Sequence, residues 1–128
     1  MKKILFVLLI LLQCVGINRK SEKLNIELLI GKWQWVESIG GIGGLHHTPE
    51  SQGYSKTIEF TESSEYFEYK NDSLEILGCY SYIKQENILV LRTQAYMTFS
   101  ILLADDTLKL FQTNIYDGYN HIYVRMRN

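Results

Sequence analysis

The chain is predicted to fold as an all-β domain: an eight-stranded antiparallel up-and-down barrel preceded by a short helical turn. The composition is rich in strand formers, with nine Tyr, five Phe and two Trp among 128 residues and a single Pro. Short alternating apolar and polar runs follow one another from residue 32 to the C-terminus, separated by turn-forming residues. No helical pattern long enough for a parallel crossover lies between them, so neighbouring strands pair antiparallel. A meander of eight such strands removes its two unpaired edges by closing into a barrel.

The N-terminus reads as an address. Lys2 and Lys3 precede an unbroken apolar run over residues 4–12. A membrane-spanning helix needs about 20 apolar residues, so this run is too short to span and suits a signal-peptide core. Leu11-Leu12-Gln13-Cys14 follows and resembles a bacterial lipobox, with Gln13 where a small residue is usual. That resemblance implies that residues 1–13 are removed and that Cys14 carries the lipid. Residues 14–23 are then a tether, and 24–128 the folded domain. Two or three acyl chains, at about 0.8 kcal/mol per buried CH₂, hold a small domain firmly on a membrane. The competing reading is plain secretion, with cleavage after Gly16 by an ordinary signal peptidase, because Cys14 and Gly16 are small residues at alternate positions.

Charge excludes one class of partner. The formal net charge is −1; without Lys2 and Lys3 the remaining 11 basic and 14 acidic residues give −3. Nucleic-acid binding has no electrostatic footprint here. With Cys14 lipidated or removed, Cys79 stands alone and no intramolecular disulfide forms. It reads as a small strand hydrophobe rather than a reactive thiol.

Leu24, Leu28 and Leu29 at helical spacing predict one or two helical turns over 24–30, closing one end of the domain. Strands follow over 32–39, 54–61, 65–70, 74–84, 88–93, 97–104, 107–115 and 119–127. Gly78 inside the fourth suggests a bulge or bend, and Asp117-Gly118 a tight turn before the last. The first connection, 40–53, is long and irregular, with Gly40, Gly41, Gly43, Gly44, Gly53 and the only proline, Pro49. Loops of that length in a small domain are functional or mobile, or let the chain cross a barrel mouth.

Three stretches carry a resemblance: Gly31-Lys32-Trp33-Gln34-Trp35-Val36; Thr48-Pro49-Glu50-Ser51 before Gly53-Tyr54; and Asp117-Gly118-Tyr119-Asn120-His121-Ile122-Tyr123-Val124-Arg125. Together they resemble the lipocalin and wider calycin pattern, and more narrowly the small lipocalin-like lipoproteins of Bacteroidetes, over most of residues 30–127. The resemblance implies that Gly31 opens the first strand and that Trp33 packs inside the closed end. An arginine of the last strand, Arg125 before Arg127, lies across that indole. It also implies an envelope protein on a lipid anchor, in the outer membrane if the cell is Gram-negative, or else secreted or periplasmic. The chain is shorter than larger lipocalins and lacks their lid and C-terminal helix.

The expected function is non-catalytic binding of a small hydrophobic ligand inside the barrel. Trp35, Ile58, Phe60, Phe67, Phe99 and Phe111 are the candidate contacts, with Trp33 in the same inward apolar set, and loop 40–53 the gate. The alternative is an interaction or inhibitor module with a solid barrel that contacts an envelope protein or a glycan. No metal or cofactor is expected. Adjacent His46 and His47 have no third ligand at metal-site spacing and read as an exposed loop pair. His121, four residues after Asp117, lacks a matched nucleophile. Glu62, Glu65 and Glu68 read as a solvated hairpin face. Tyr66, Tyr69, Tyr80, Tyr82, Tyr96, Tyr116, Tyr119 and Tyr123 read as strand residues with wet hydroxyls, or as a surface for glycans or partners.

Overall fold

The computed structural model describes residues 25–127. The leader, Cys14 and the whole tether lie outside the described residues. The fold is a closed antiparallel β-barrel of eight strands, with a ninth short strand added at one rim. A 3₁₀ turn, Ile26–Leu29, enters the barrel. The strands are β1 (Gly31–Gly40), β2 (Leu45–His47), β3 (Lys56–Phe60), β4 (Glu65–Lys70), β5 (Ser73–Ile83), β6 (Ile88–Arg92), β7 (Tyr96–Ala104), β8 (Thr107–Gln112) and β9 (Tyr119–Arg125). One helical turn, α1 (Pro49–Gln52), separates β2 from β3. The sheet runs β1-β3-β4-β5-β6-β7-β8-β9, and β9 pairs back onto β1 from Trp33↔Arg125 to Gly40↔Tyr119. The two sheet edges thereby satisfy each other's backbone groups.

The predicted eight-stranded meander is the observed one. What differs lies in the first connection, which is not wholly irregular. Residues 45–47 form β2 against the far end of β1, Ser38↔His47 to Gly40↔Leu45. Residues 49–52 form α1, capped by Thr48, whose hydroxyl accepts from the Ser51 amide at 3.1 Å while the Ser51 hydroxyl accepts from the Thr48 amide at 2.9 Å.

Inside the barrel the core is layered by strand register. Trp33, Ile58, Leu89 and Leu108 are fully buried, with Phe60, Leu91 and Leu110 nearly so. Four tyrosines join them, Tyr66, Tyr80, Tyr82 and Tyr123. They are strand residues as expected but belong to the core, and the hydroxyls of Tyr66, Tyr80 and Tyr82 are bonded within the protein rather than wet. Tyr66 donates to Glu68 at 2.9 Å, Tyr80 to the Thr61 carbonyl at 2.7 Å and Tyr82 to Asn87 at 2.7 Å. Burial pushes the Tyr80 phenol up to about 12.

Two candidate contacts face the wrong way for a ligand in the barrel. Phe67 lies opposite Glu59, whereas Tyr66 lies opposite buried Phe60. Directly opposed residues share a face, so Tyr66 points in and Phe67 out. Phe111 is 49% exposed. Leu108 and Leu110 take the inner face of β8, which leaves Phe111 outside with Lys109.

At the closed end, Trp33 donates its indole N–H to the Leu29 carbonyl at 2.9 Å. The Arg125 guanidinium carbon stands 4.2 Å from the Trp33 ring centroid. Its Nη1 donates to the Ile30 carbonyl at 3.3 Å, Nη2 donates to the Leu28 carbonyl, and Nε lies 3.3 Å from Asp106. Arg127 is exposed and pairs with Asp106 instead of the indole. A cation–π contact of this kind contributes about 0.5–2 kcal/mol. Its larger effect is to fasten the entering turn to the last strand. A side chain on Gly31 would approach Arg125 Nη1 to 3.5 Å, and Gly31 itself has φ +130°, a backbone conformation that favours glycine.

Gly78 marks where β5 turns the corner of the barrel. Residues up to Cys79 pair with β4, and from Cys79 onward with β6. A Cβ at Gly78 would sit 2.1 Å from the Arg92 carbonyl oxygen, a backbone atom that cannot yield cheaply. The bulge of β5 lies three residues earlier: Glu68 pairs with Ile76 and Tyr69 with Leu74, so Glu75 is the extra residue. Gly78→Ala is expected to cost about 2–3 kcal/mol by overpacking. A urea midpoint within error of the parent's would show that the corner does not depend on that approach.

Candidate functional site

The other end of the barrel is open, and its inner wall is set by one irregularity in β1. Strict alternation from Trp33 and Trp35 would bring Glu37 and Ile39 inward. The register slips instead: Trp35 faces Tyr123, but Glu37 faces Ile122. Val36 is the extra residue, a bulge that reverses the strand's parity. Beyond it Ser38 points in and Glu37 points out. Ser38 pairs with His47 of β2 on one side and His121 of β9 on the other, so the three form one row across the mouth.

Those side chains line a cup of about 210 Å³ together with Trp35, Gln52, Tyr54, Lys56 and Tyr119. Tyr54 stacks on Trp35 with ring centroids 5.8 Å apart and planes at 21°. Lys56 Nζ sits 5.3 Å from the Trp35 ring and Lys70 Nζ 4.4 Å from the Tyr54 ring. Tyr119 lies between His47, at 5.6 Å, and His121, at 6.0 Å. The absence of a side chain at Gly40 admits the Gly118–Tyr119 backbone, because a Cβ there would be 2.7 Å from the Gly118 oxygen.

The polar groups form two relays. Trp35 Nε1 donates to Ser38 Oγ at 2.8 Å, and Ser38 Oγ is 2.6 Å from His121 Nδ1. An indole N–H only donates. Ser38 therefore accepts from Trp35, and its hydroxyl, with a second lone pair and one hydrogen, either donates to Nδ1 or accepts from it according to the His121 tautomer. In the second relay Gln52 Nε2 lies 2.9 Å from His47 Nδ1, and His47 Nε2 lies 3.4 Å from the Tyr119 hydroxyl. The Gln52 amide donates to Nδ1, so His47 donates from Nε2 to Tyr119.

Burial, and after it the positive charge of Lys56, holds the His121 imidazole at about 4 instead of the ordinary 6.5. At neutral pH the ring is uncharged.

The sequence candidates are thus distributed over three places. Trp35 lines the cup. Ile58, Phe60 and Phe99 are buried in the core, Phe99 with its ring edge-on to His121 at 6.3 Å. Phe67 and Phe111 are outside. His46 and His47 do not act as a pair: His46 faces outward and bonds Glu37 at 2.9 Å, while His47 turns in. Among the described residues the hydrogen-bond partner of the His121 ring is Ser38, across the β1–β9 ladder, and not Asp117. The three glutamates are dispersed. Glu62 is exposed, Glu65 accepts from the Thr61 hydroxyl at 3.3 Å, and Glu68 accepts from Tyr66 inside the barrel. Among the described residues no group of three or more His, Cys, Asp or Glu could hold a metal ion. Sequence reasoning missed Ser38, Gln52, Tyr54 and Lys56. The usable signal was the recurrence of polar and aromatic residues at the ends of β1 and β9, where a closed barrel brings the first and last strands together.

No protein-family model matches this chain, and a search of curated proteins gives no match either. The fold is a closed eight-stranded antiparallel barrel, consistent with a calycin-like fold.

Because His121 binds protons more weakly folded than unfolded, its contribution to stability is present above about pH 6.5 and is lost as pH falls towards 4. The loss amounts to up to about 3 kcal/mol. The parent should therefore lose more unfolding free energy than His121→Gln over this interval. Parallel pH profiles for the two proteins would contradict the assignment.

Proposed function

We propose that this protein is a membrane-anchored, non-catalytic, lipocalin-like barrel that binds one small molecule in the cup at its mouth. The observation that carries the reading is the cup itself: aromatic walls and unspent polar hydrogens around about 210 Å³, above an interior occupied by core side chains. The expected ligand thus moves from the barrel interior to the rim. A long acyl chain would have to displace Trp35, Tyr123 and Leu108; a single substituted ring would not. Ligand sites are concave, mainly aromatic and apolar, with a few placed polar groups, and the cup is a small example.

The absence of catalysis is supported by the commitments of the polar groups. Ser38 Oγ is held between the indole N–H and the imidazole Nδ1, and an imidazole titrating near 4 is a poor base at neutral pH. The two indoles provide the test. In ¹⁵N spectra of the full chain, small aromatic compounds should shift the Trp35 indole N–H and leave that of Trp33, at the closed end, unmoved. Affinity should be roughly micromolar to millimolar, as few ligand atoms are available to contribute.

One observation favours the interaction-module reading as second. The outer face of β1, β9, β8 and β7 exposes Ile39, Val124, Phe111 and Leu102 on adjoining strands. If no small molecule moves the Trp35 signal, this face becomes the stronger candidate, and a stoichiometric envelope protein should co-purify with the anchored chain.

The anchor is proposed from Cys14 and the apolar run before it. Mass spectrometry of the mature protein should find an N-terminal acylated cysteine. An unmodified chain starting at residue 17 would establish secretion instead.

A further inference from the structure

We propose that the cup selects small planar anions, and specifically that it binds a ring-bearing carboxylate with the carboxylate on Lys56 and His121 and the ring against Tyr119 and Tyr54. This rests on the reading of the cup as a ligand site and adds the sign of the ligand's charge.

The argument is a count of hydrogens. The proposal takes the tautomer in which Ser38, accepting from the Trp35 indole, gives its own hydrogen to Nδ1, which puts the ring hydrogen on His121 Nε2. That nitrogen has no acceptor among the described residues. It is also not sealed away, since among the described residues no buried side-chain nitrogen or oxygen is left without a partner. Its hydrogen therefore opens onto the cavity that His121 lines. The second relay ends on the Tyr119 hydroxyl, which accepts from His47 and keeps its own hydrogen to give. Lys56 adds an ammonium with three more. Three donors from β3 and β9 thus converge on one space, and a ligand must supply acceptors to use them.

Charge points the same way. Facing His121 are Lys56 from β3, His47 from β2, and Tyr119 from its own strand, with Tyr54 beside Lys56. No carboxylate lines the cup, and among the described residues none lies within ion-pair distance of Lys56. The nearby inward carboxylate, Glu68, is taken by the Tyr66 hydroxyl. Lys70 stands behind the Tyr54 ring as a second cation. Shape sets the rest. A volume of about 210 Å³ equals that of about seven liquid waters, enough for one ring with a short substituent, and the walls are flat aromatic faces.

The test compares benzoate, benzyl alcohol and benzylamine on the full chain, read at the Trp35 indole N–H and at the His121 ring. Benzoate should bind at least about tenfold tighter than benzyl alcohol, and benzylamine weakest. Saturation with benzoate should raise the His121 pKa by about one unit, since an adjacent anion favours the imidazolium. Lys56→Met keeps the alkyl stem over Trp35 and should abolish the preference for benzoate; Lys56→Arg should retain it. Equal binding of benzoate and benzyl alcohol would overturn the anion assignment and leave the cup as a ligand site. An unchanged preference in Lys56→Met would do the same. If no probe moves the Trp35 signal while the spectrum is otherwise that of the folded chain, the cup reading falls as well.

Discussion

The ladder between β1 and β9 is the constraint on which the rest depends. Without it the sheet would have two open edges and Trp33 would face solvent on one flank. With it, the first and last strands share seven residue pairs, and everything that distinguishes the two ends of the barrel is built across that seam. At the closed end Arg125 reaches over Trp33 to the carbonyls of the entering turn. At the open end His121 reaches Ser38. Both contacts join residues more than eighty positions apart in the chain, so both are bought with the same loop closure.

The seam is not regular, and its one fault creates the site. If β1 alternated without interruption, Glu37 would enter the barrel mouth and Ser38 would leave it. The bulge at Val36 exchanges them. A carboxylate that would have met Lys56 goes instead to the surface, where His46 pairs with it at little energetic consequence. A hydroxyl that can both accept and donate takes its place, and it connects the indole to the imidazole. The short strand β2 then brings His47 alongside, completing the row.

Elsewhere the barrel holds more polar atoms than its small core would suggest. Tyr66, Tyr80 and Tyr82 bury large rings and find acceptors for their hydroxyls at Glu68, Thr61 and Asn87. A buried hydroxyl left unpaired would cost about 1–3 kcal/mol. Tyr80 and Tyr82 bond to the turns that follow β3 and β5 and so constrain register, whereas the Tyr66–Glu68 bond lies within β4. The tyrosines therefore help fill the interior.

Much of the fold was legible in the sequence because it rests on local chemistry. Period-two alternation marked the strands, turn residues such as Asp105-Asp106 and Asp117-Gly118 separated them, and the lack of a crossover helix required an antiparallel meander. Leu108 and Leu110 alternate openly enough that Phe111 could have been assigned to the outer face. In β4 the neighbouring Tyr66 and Phe67 leave the inner residue undecided by pattern, and only pairing with Phe60 chose it. The cup was not legible, because no local signal announces a one-residue bulge at Val36, and a bulge reverses every side chain beyond it. Sequence by itself determined that the chain would alternate, turn and close. Tertiary structure decided which of Glu37 and Ser38 would face His121, because that choice depends on the register of two strands that meet only when the barrel shuts.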